Sequence, residues 1–251
     1  VLKRDGAVTN TRSTMWVTVS GKYEKHQISL YNYFRNKSQE SADKLLGEYT
    51  GCLISDGYQV YNNLEKCAHA CCWAHSRRRF LDAVPKGKKE GKAYESLQII
   101  TRMLDEDKKI LEGNSLENKI SEYRQEKIKP ILDEFWSYLE TINPAPGSRL
   151  QDAVSYALNH KEQLSLFVDS GKLESTNNRA ERAVKPFVMA RKNFLFSDTE
   201  RGADASARVF SIIETAKINN LDVYGYLIFL LSELPKFGAE PTEEQIESVL
   251  P

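Results

Sequence analysis

Apolar positions recur at two different periods along this chain, and the changes of period divide it. Residues 14–20 (T-M-W-V-T-V-S) and 27–34 (Q-I-S-L-Y-N-Y-F) are rich in β-branched and aromatic side chains, a composition that favours extended backbone. Ser20-Gly21-Lys22 between them predicts an antiparallel hairpin, and the separate turn signal Asp5-Gly6 places Val1 and Leu2 on an earlier strand. Residues 38–49 read as a capped helix with Ala42, Leu45 and Leu46 turned inward. Residues 51–57 (G-C-L-I-S-D-G) form a short apolar run, which predicts a buried strand with Asp56 at its carboxyl end. Open α/β sheets bind ligands at that edge. From about 85 to 170 the composition shifts to charged, long-chain helix formers. Helices are predicted over 93–111 and 116–142, separated by Gly113-Asn114, and over 150–167 beyond the breaker P-A-P-G at 144–147. The charge runs in this region read as solvated faces, and Phe135 and Trp136 as core. Amphipathic helices are predicted over 203–219 and 223–234, and the polar tail beyond Pro235 specifies little.

The stretch 175–204 (S-T-N-N-R-A-E-R-A-V-K-P-F-V-M-A-R-K-N-F-L-F-S-D-T-E-R-G-A-D) organises the rest. Ala180, Ala183, Val184 and Phe187 fall at i, i+3, i+4 and i+7, a stripe suited to packing on a sheet. The opposite face carries Asn178, Glu181, Arg182 and Lys185. Ser175, Thr176 and Asn177 supply side-chain oxygens for a first-turn cap, and Pro186 is expected to end or kink the helix about two turns later. Glu181 and Lys185 by themselves are an i,i+4 surface pair worth a few tenths of a kcal/mol.

Residues 67–75 (C-A-H-A-C-C-W-A-H) alternate as one strand with a tightly packed face would. A zinc reading sets Cys67, His69, Cys71 and His75 on one side. Structural zinc sites pair a short knuckle with a distant second pair of ligands, whereas these lie on one short segment that cannot wrap a tetrahedron. Packing thiols are expected instead.

Composition narrows the classes. The 251 residues contain 35 Lys plus Arg and 35 Asp plus Glu, so any nucleic-acid-binding surface is local rather than global. The longest apolar run, 226–231, is too short to span a bilayer, and a soluble cytoplasmic protein is expected. Cys52, Cys67, Cys71 and Cys72 lack the spacing of a secreted disulfide framework and read as reduced thiols. The opening V-L-K-R-D-G reads as a strand end running into a turn, and the chain as a fragment.

The strings N-N-R-A-E-R-A-V-K-P-F, A-R-K-N-F-L-F-S-D-T and R-G-A-D-A-S resemble the carboxyl-terminal signature of IS66-type transposases. The segment S-D-G-Y-Q-V-Y-N resembles the family's second-acid region, and C-W-A-H-S-R-R-R-F the family pattern just beyond that acid. The resemblance implies a ribonuclease H-like mixed sheet flanked by helices, with Asp56 and Glu181 as the second and last acids of a DDE triad. It divides the chain into a first core part (1–84), a helical insertion (85–170), a second core part with the Glu181 helix (171–220), and a C-terminal helix and tail (221–251). The acids are then expected on the order of 4–8 Å apart, holding Mg²⁺, with Mn²⁺ as an alternative. Such metals stabilise attacking and leaving oxygens while water cleaves one strand and the freed 3′-OH attacks target DNA. His75 and Asn178 are implied near the site, and Arg77, Arg78, Arg79, Arg182, Lys185, Arg191 and Lys192 as phosphate contacts. The implied partners are transposon ends, target DNA and further copies of the protein, in a nucleoid-associated bacterial setting. The sequence departs from the family pattern in three ways. No D-E-T segment supplies the first acid, for which Asp5 is a poor substitute; Thr176 stands where an acid is usual, and Lys185 where Arg is usual. These residues alone are therefore expected to be catalytically incomplete. A non-cutting remnant that binds DNA or a partner protein, and a hydrolytic nuclease of the same fold, remain as alternatives.

Overall fold

The strand-period residues at the start form the expected hairpin. In the computed structural model, which describes residues 13–113, 116–194 and 197–251, β1 (Thr14–Val19) pairs antiparallel with β2 (Ser29–Phe34), Trp16 opposite Asn32 and Thr18 opposite Leu30. The expectations for Val1, Leu2 and Asp5 lie outside the described residues. The loop between the strands is longer than the Ser20-Gly21-Lys22 signal implies. It is closed by the Gln27 side-chain amide, which donates to the carbonyls of Gly21 and Glu24 at 3.1 and 2.6 Å.

The chain divides into two units, one built from the hairpin through Lys37 together with Arg179–Pro251, the other Ser38–Asn178. In the first, α8 (Asn178–Phe194), α9 (Glu200–Ile218), α10 (Val223–Glu233) and α11 (Glu243–Glu247) come one after another in sequence. The apolar stripe of α8 faces the hairpin: Phe187 is buried with Tyr31 and Ala207, and Met15, Val17 and Phe210 pack around them. Of the two outcomes expected at Pro186, an end is not found: α8 runs on through it to Phe194. Proline inside a helix costs about 3 kcal/mol, and burying one Phe returns about 1.5–3 kcal/mol. A bond from the Tyr31 hydroxyl to the Ala183 carbonyl adds to that. The carbonyl deprived of its donor is that of Arg182, on the exposed side of the helix.

The outer edge of β2 is closed by side chains of α9. Ser211 Oγ accepts from Tyr31 N at 2.8 Å, Thr215 Oγ1 accepts from Ser29 N at 3.0 Å and donates to Ser29 O at 3.1 Å, and Asn219 Nδ2 donates to Gln27 O at 2.7 Å. Four helical residues rise about 6 Å and two strand residues about 6.7 Å, so residues 211, 215 and 219 keep step with 31, 29 and 27. The bonding row that a further strand would need on that edge is thereby occupied.

In the second unit, β3 (Cys52–Ser55) pairs parallel with β4 (Ala68–Cys71). Among the described residues the fold is α/β with two separate two-stranded sheets, instead of the single mixed sheet expected. α1 (Gln39–Leu46) is capped by Ser38, whose side chain accepts from Ser41 N. The single strand expected over 67–75 is also corrected: it ends at Cys71, and α2 (Trp73–Ala83) begins two residues later. Cys72 and Trp73 are both 0% exposed. An alternating strand cannot bury two consecutive side chains in one face. Trp73 is anchored at both ends, its amide donating to Ser175 O at 3.0 Å and its indole to Leu164 O at 2.7 Å.

The helical region matches its period closely. α3 (Lys92–Gly113) is followed by α4 (Glu117–Tyr123), a π-turn at Arg124–Ile128, and α5 (Lys129–Glu140), the last three forming one continuous helical path. The wide turn lies just ahead of Pro130, which has no N–H for the regular ladder. α6 (Arg149–Asn159), capped by Ser148, and α7 (Lys161–Ser165) complete the unit. Phe135 and Trp136 are core as expected, with Trp73 and Phe80 against them at centroid distances of 5.5–5.9 Å. The π-turn sets Arg124 fully inside, where Nε donates to Asp107 Oδ1 at 2.7 Å. Its Nη1 donates to the carbonyls of Phe167, Ser170 and Leu173 at 2.9, 2.5 and 2.7 Å. Asp107 in turn accepts from the Ser175 hydroxyl at 2.7 Å. Ser175 is thus committed to the core rather than to the α8 cap expected of it.

Candidate active site

β3 delivers Asp56 where the sequence predicts, one residue beyond its last strand position and exposed. Its Oδ1 accepts from Tyr58 N at 3.1 Å, a local turn that side-chain carboxylates commonly make. Gly57 between them has φ +80°, a conformation that suits glycine. The turn is fastened from two sides. On one, the Ser55 hydroxyl accepts from Gly57 N at 3.2 Å and lies 2.7 Å from His69 Nε2, whose Nδ1 lies 3.0 Å from Asn62 Oδ1. With Asn62 as acceptor, Nδ1 carries the His69 proton and Nε2 accepts from Ser55. Burial, and then the nearby His160, push the His69 pKa down to about 4, against the opposing pull of Asp56. His69 also lines a groove of about 260 Å³ with Tyr61, Cys67 and Glu162.

On the other side stands α6. The Tyr156 hydroxyl donates to the Asp56 carbonyl at 3.2 Å. Arg79, on α2, places its guanidinium 4.1 Å from the Tyr156 ring centroid, and the His160 ring lies tilted against that ring at 4.4 Å. Burial raises the Tyr156 pKa, as does the neighbouring Cys71, with Arg79 opposing. Burial and Asp56 hold Tyr61 at about 12, and burial, Cys72 and Asp56 hold Cys71 at about 12. Cys71 is therefore a thiol at neutral pH. Tyr156 and His160 escape a reading of the sequence because the helical region looks like core and solvated face; their i,i+4 spacing is the available signal.

The remaining candidates of this unit lie on α2 and at the start of α8. His75 is in the first turn of α2 and half-buried. Arg77 Nε donates to Thr101 Oγ1 at 3.2 Å, which turns it toward α3, while Arg78 and Arg79 are exposed. Asn178, the first residue of α8, is exposed. In the other unit Glu181, Arg182 and Lys185 are exposed on α8, and Arg191 and Lys192 occupy its last turn, where cations are also favoured by the helix dipole. Asp56 and Glu181 belong to different units. Among the described residues no three His, Cys, Asp or Glu side chains are grouped to hold a metal ion, and no helix is long and apolar enough to cross a membrane.

The model of the family described as "Transposase IS66 family" matches residues 1–205. The chain belongs to the IS66 transposase family. Two relatives from Sinorhizobium fredii (strain NBRC 101917 / NGR234), "Uncharacterized protein y4jD" and "Uncharacterized protein y4qI", are 29% and 31% identical over 232 and 238 residues, each covering 88% of this chain. The matched regions are 44% and 42% of those proteins, so this IS66-family chain spans less than half the length of the relatives it matches. No solved structure matches the chain.

Proposed function

We propose that these residues carry part of the catalytic core of a DDE transposase of ribonuclease H-like type, with Asp56 and Glu181 as two of its acids. The observation that carries this reading is the exposed Asp56 carboxylate at the end of a parallel strand, on a turn fastened from both sides, within a chain of the IS66 family. The donor chemistry fits Mg²⁺: both side chains offer hard carboxylate oxygens, both are exposed, and Mg²⁺ retains waters on its other positions. When bound, Mg²⁺ or Mn²⁺ supplies charge neutralisation of the attacking and leaving oxygens of a phosphodiester. Asp56 and Glu181 would be the residues to hold the ion. Arg78, Arg79, Arg182, Lys185, Arg191 and Lys192 bind the phosphates of transposon ends and target DNA, supplying affinity and orientation rather than base readout. Copies of the protein associate on the DNA, as strand transfer of two ends requires.

The test is cleavage and strand transfer of transposon-end DNA with Mg²⁺ or Mn²⁺ by the whole protein that carries this chain, against its Asp56→Asn and Glu181→Gln variants. Loss of both activities by about 100-fold or more, with DNA binding retained, is expected when a ligand of a catalytic ion is removed. Undiminished activity in either variant removes that residue from the site. Cleavage without joining would instead favour a hydrolytic nuclease.

A further inference from the structure

We infer that Tyr156 of α6 is a positioning residue for Asp56, so that the helical region sets the direction in which the strand-end acid presents its carboxylate; this rests on the reading of Asp56 as an active-site acid. The position of a carboxylate at a strand end depends on the backbone of the adjoining turn. Here that backbone is held by two side-chain hydroxyls from different elements. Ser55 takes the Gly57 N–H, and Tyr156 gives its proton to the Asp56 carbonyl. The Tyr156 ring has little room to move, with the His160 ring tilted against it at 4.4 Å and the Arg79 guanidinium 4.1 Å from its centroid. His160 Nδ1 is itself 2.8 Å from the Tyr156 carbonyl, so ring and helix turn are tied together.

The turn and the tyrosine also fit one another sterically. A Cβ added at Gly57 would lie 2.8 Å from Tyr156 Oη and 3.5 Å from both Cys71 Sγ and His160 Nε2. The hydroxyl therefore occupies the space that any other residue at 57 would need. A helix far along the sequence from Asp56 thus reaches the backbone atoms beside it, and a phenylalanine at 156, lacking the hydroxyl, cannot make that contact. A core tyrosine would need only its ring; the directed bond to a carbonyl adjoining an exposed acid is what assigns the further role.

The experiment probes the turn itself and does not depend on turnover. In Tyr156→Phe, hydrogen exchange of the Tyr58 amide, which is bonded to Asp56 Oδ1, is expected to speed up by roughly 3- to 10-fold, the range commanded by one neutral hydrogen bond. The loss of one such bond lowers the melting temperature by only a few degrees, so the variant remains folded. In the whole protein the same variant should lower kcat for cleavage and leave the KM for DNA unaltered. Gly57→Ala, which displaces the hydroxyl while the phenol stays, should loosen the same amide, and the two changes together should fall short of the product of their separate effects. This second variant decides the matter if Tyr156→Phe does not fold. Wild-type exchange at Tyr58 in a folded variant overturns the inference, as does full multiplicativity. If Asp56→Asn abolishes cleavage while Tyr156→Phe is indistinguishable from wild type, the transposase reading stands and the positioning role falls. If Asp56→Asn cleaves normally while Tyr156→Phe frees the turn, the role of the tyrosine in the turn stands and the acid assignment falls.

Discussion

His69 shows how one side chain can record the tightness of the turn beside Asp56. It is held between the Ser55 hydroxyl and Asn62, and its pKa is depressed to about 4 chiefly by burial. An unfolded chain takes up the proton near the ordinary value of about 6.5. Between those values the unfolded state binds more protons than the folded one, so stability falls as pH drops from about 6.5 towards 4 and levels off below. His69→Gln keeps a polar group for Ser55 but cannot charge. Urea titrations should therefore show a steeper loss of stability across this window for the wild type than for the variant; parallel curves would mean that His69 protonates freely in the folded protein. The thiols give a second reading at this scale. Cys52 is exposed, while Cys71 and Cys72 are buried and burial raises the Cys71 thiol to about 12. Under native conditions at neutral pH, Cys52 should react with iodoacetamide well before either of them, with mass spectrometry as the readout. Elemental analysis of the purified protein should also find no stoichiometric zinc, since the segment that carries Cys67 and Cys71 turns into α2 before His75.

At the scale of elements, the fastening of β2 to α9 is carried by hydroxyls rather than by apolar packing alone. Thr215 serves both the N–H and the C=O of Ser29, which is 1% exposed. Thr215→Val preserves shape and leaves two buried backbone groups without that partner, a loss of about 1–3 kcal/mol, measurable by urea denaturation. Ser211→Ala, at a part-buried position, should cost less. This ladder also explains what the sequence could convey. Period and capping locate the hairpin, the strand before Asp56, and the helices predicted over 93–111, 116–142, 150–167, 203–219 and 223–234, because each of those signals acts over a few neighbouring residues. The helix through Pro186 was not legible, because the Phe187 packing that offsets the proline comes from residues far away in sequence. Nor was the division of residues 67–75 into strand and helix, since the burial of Trp73 depends on Leu164 and Ser175. The turn after β3 was legible in Asp56 and Gly57, whereas its fastening by Tyr156 required the folded arrangement. Residues 211, 215 and 219 do repeat at four, but a polar repeat on an amphipathic helix reads as a solvated face until its partner strand is in place.

For the molecule as a whole, the charge balance of zero means that the proposed DNA affinity would have to come from local clusters, and their number has a measurable consequence. The candidate cations fall in two groups, Arg78 and Arg79 on α2, and Arg182, Lys185, Arg191 and Lys192 on α8. Each neutralised phosphate releases condensed counterions, so the slope of log affinity against log salt counts the contacts, at about 0.9 per phosphate on duplex DNA. If both groups engage DNA together, Arg78→Ala and Lys192→Ala should each weaken binding similarly for all sequences and each lower the slope by about 1. The double variant should lower it by about 2, because the two residues stand on separate helices in separate units. Lys185→Arg should leave the slope unaltered, since the charge is kept, and affect only contacts that depend on a planar fork. Arg79→Ala is the informative exception. Its guanidinium lies against the Tyr156 ring, so its removal should change cleavage as well as the salt slope, whereas Arg78 next to it should change the slope alone. A slope that responds to the α8 cations and ignores Arg78 would restrict DNA contact to the Glu181 helix. Arg78 would then be a solvated surface residue that takes no part in holding the duplex.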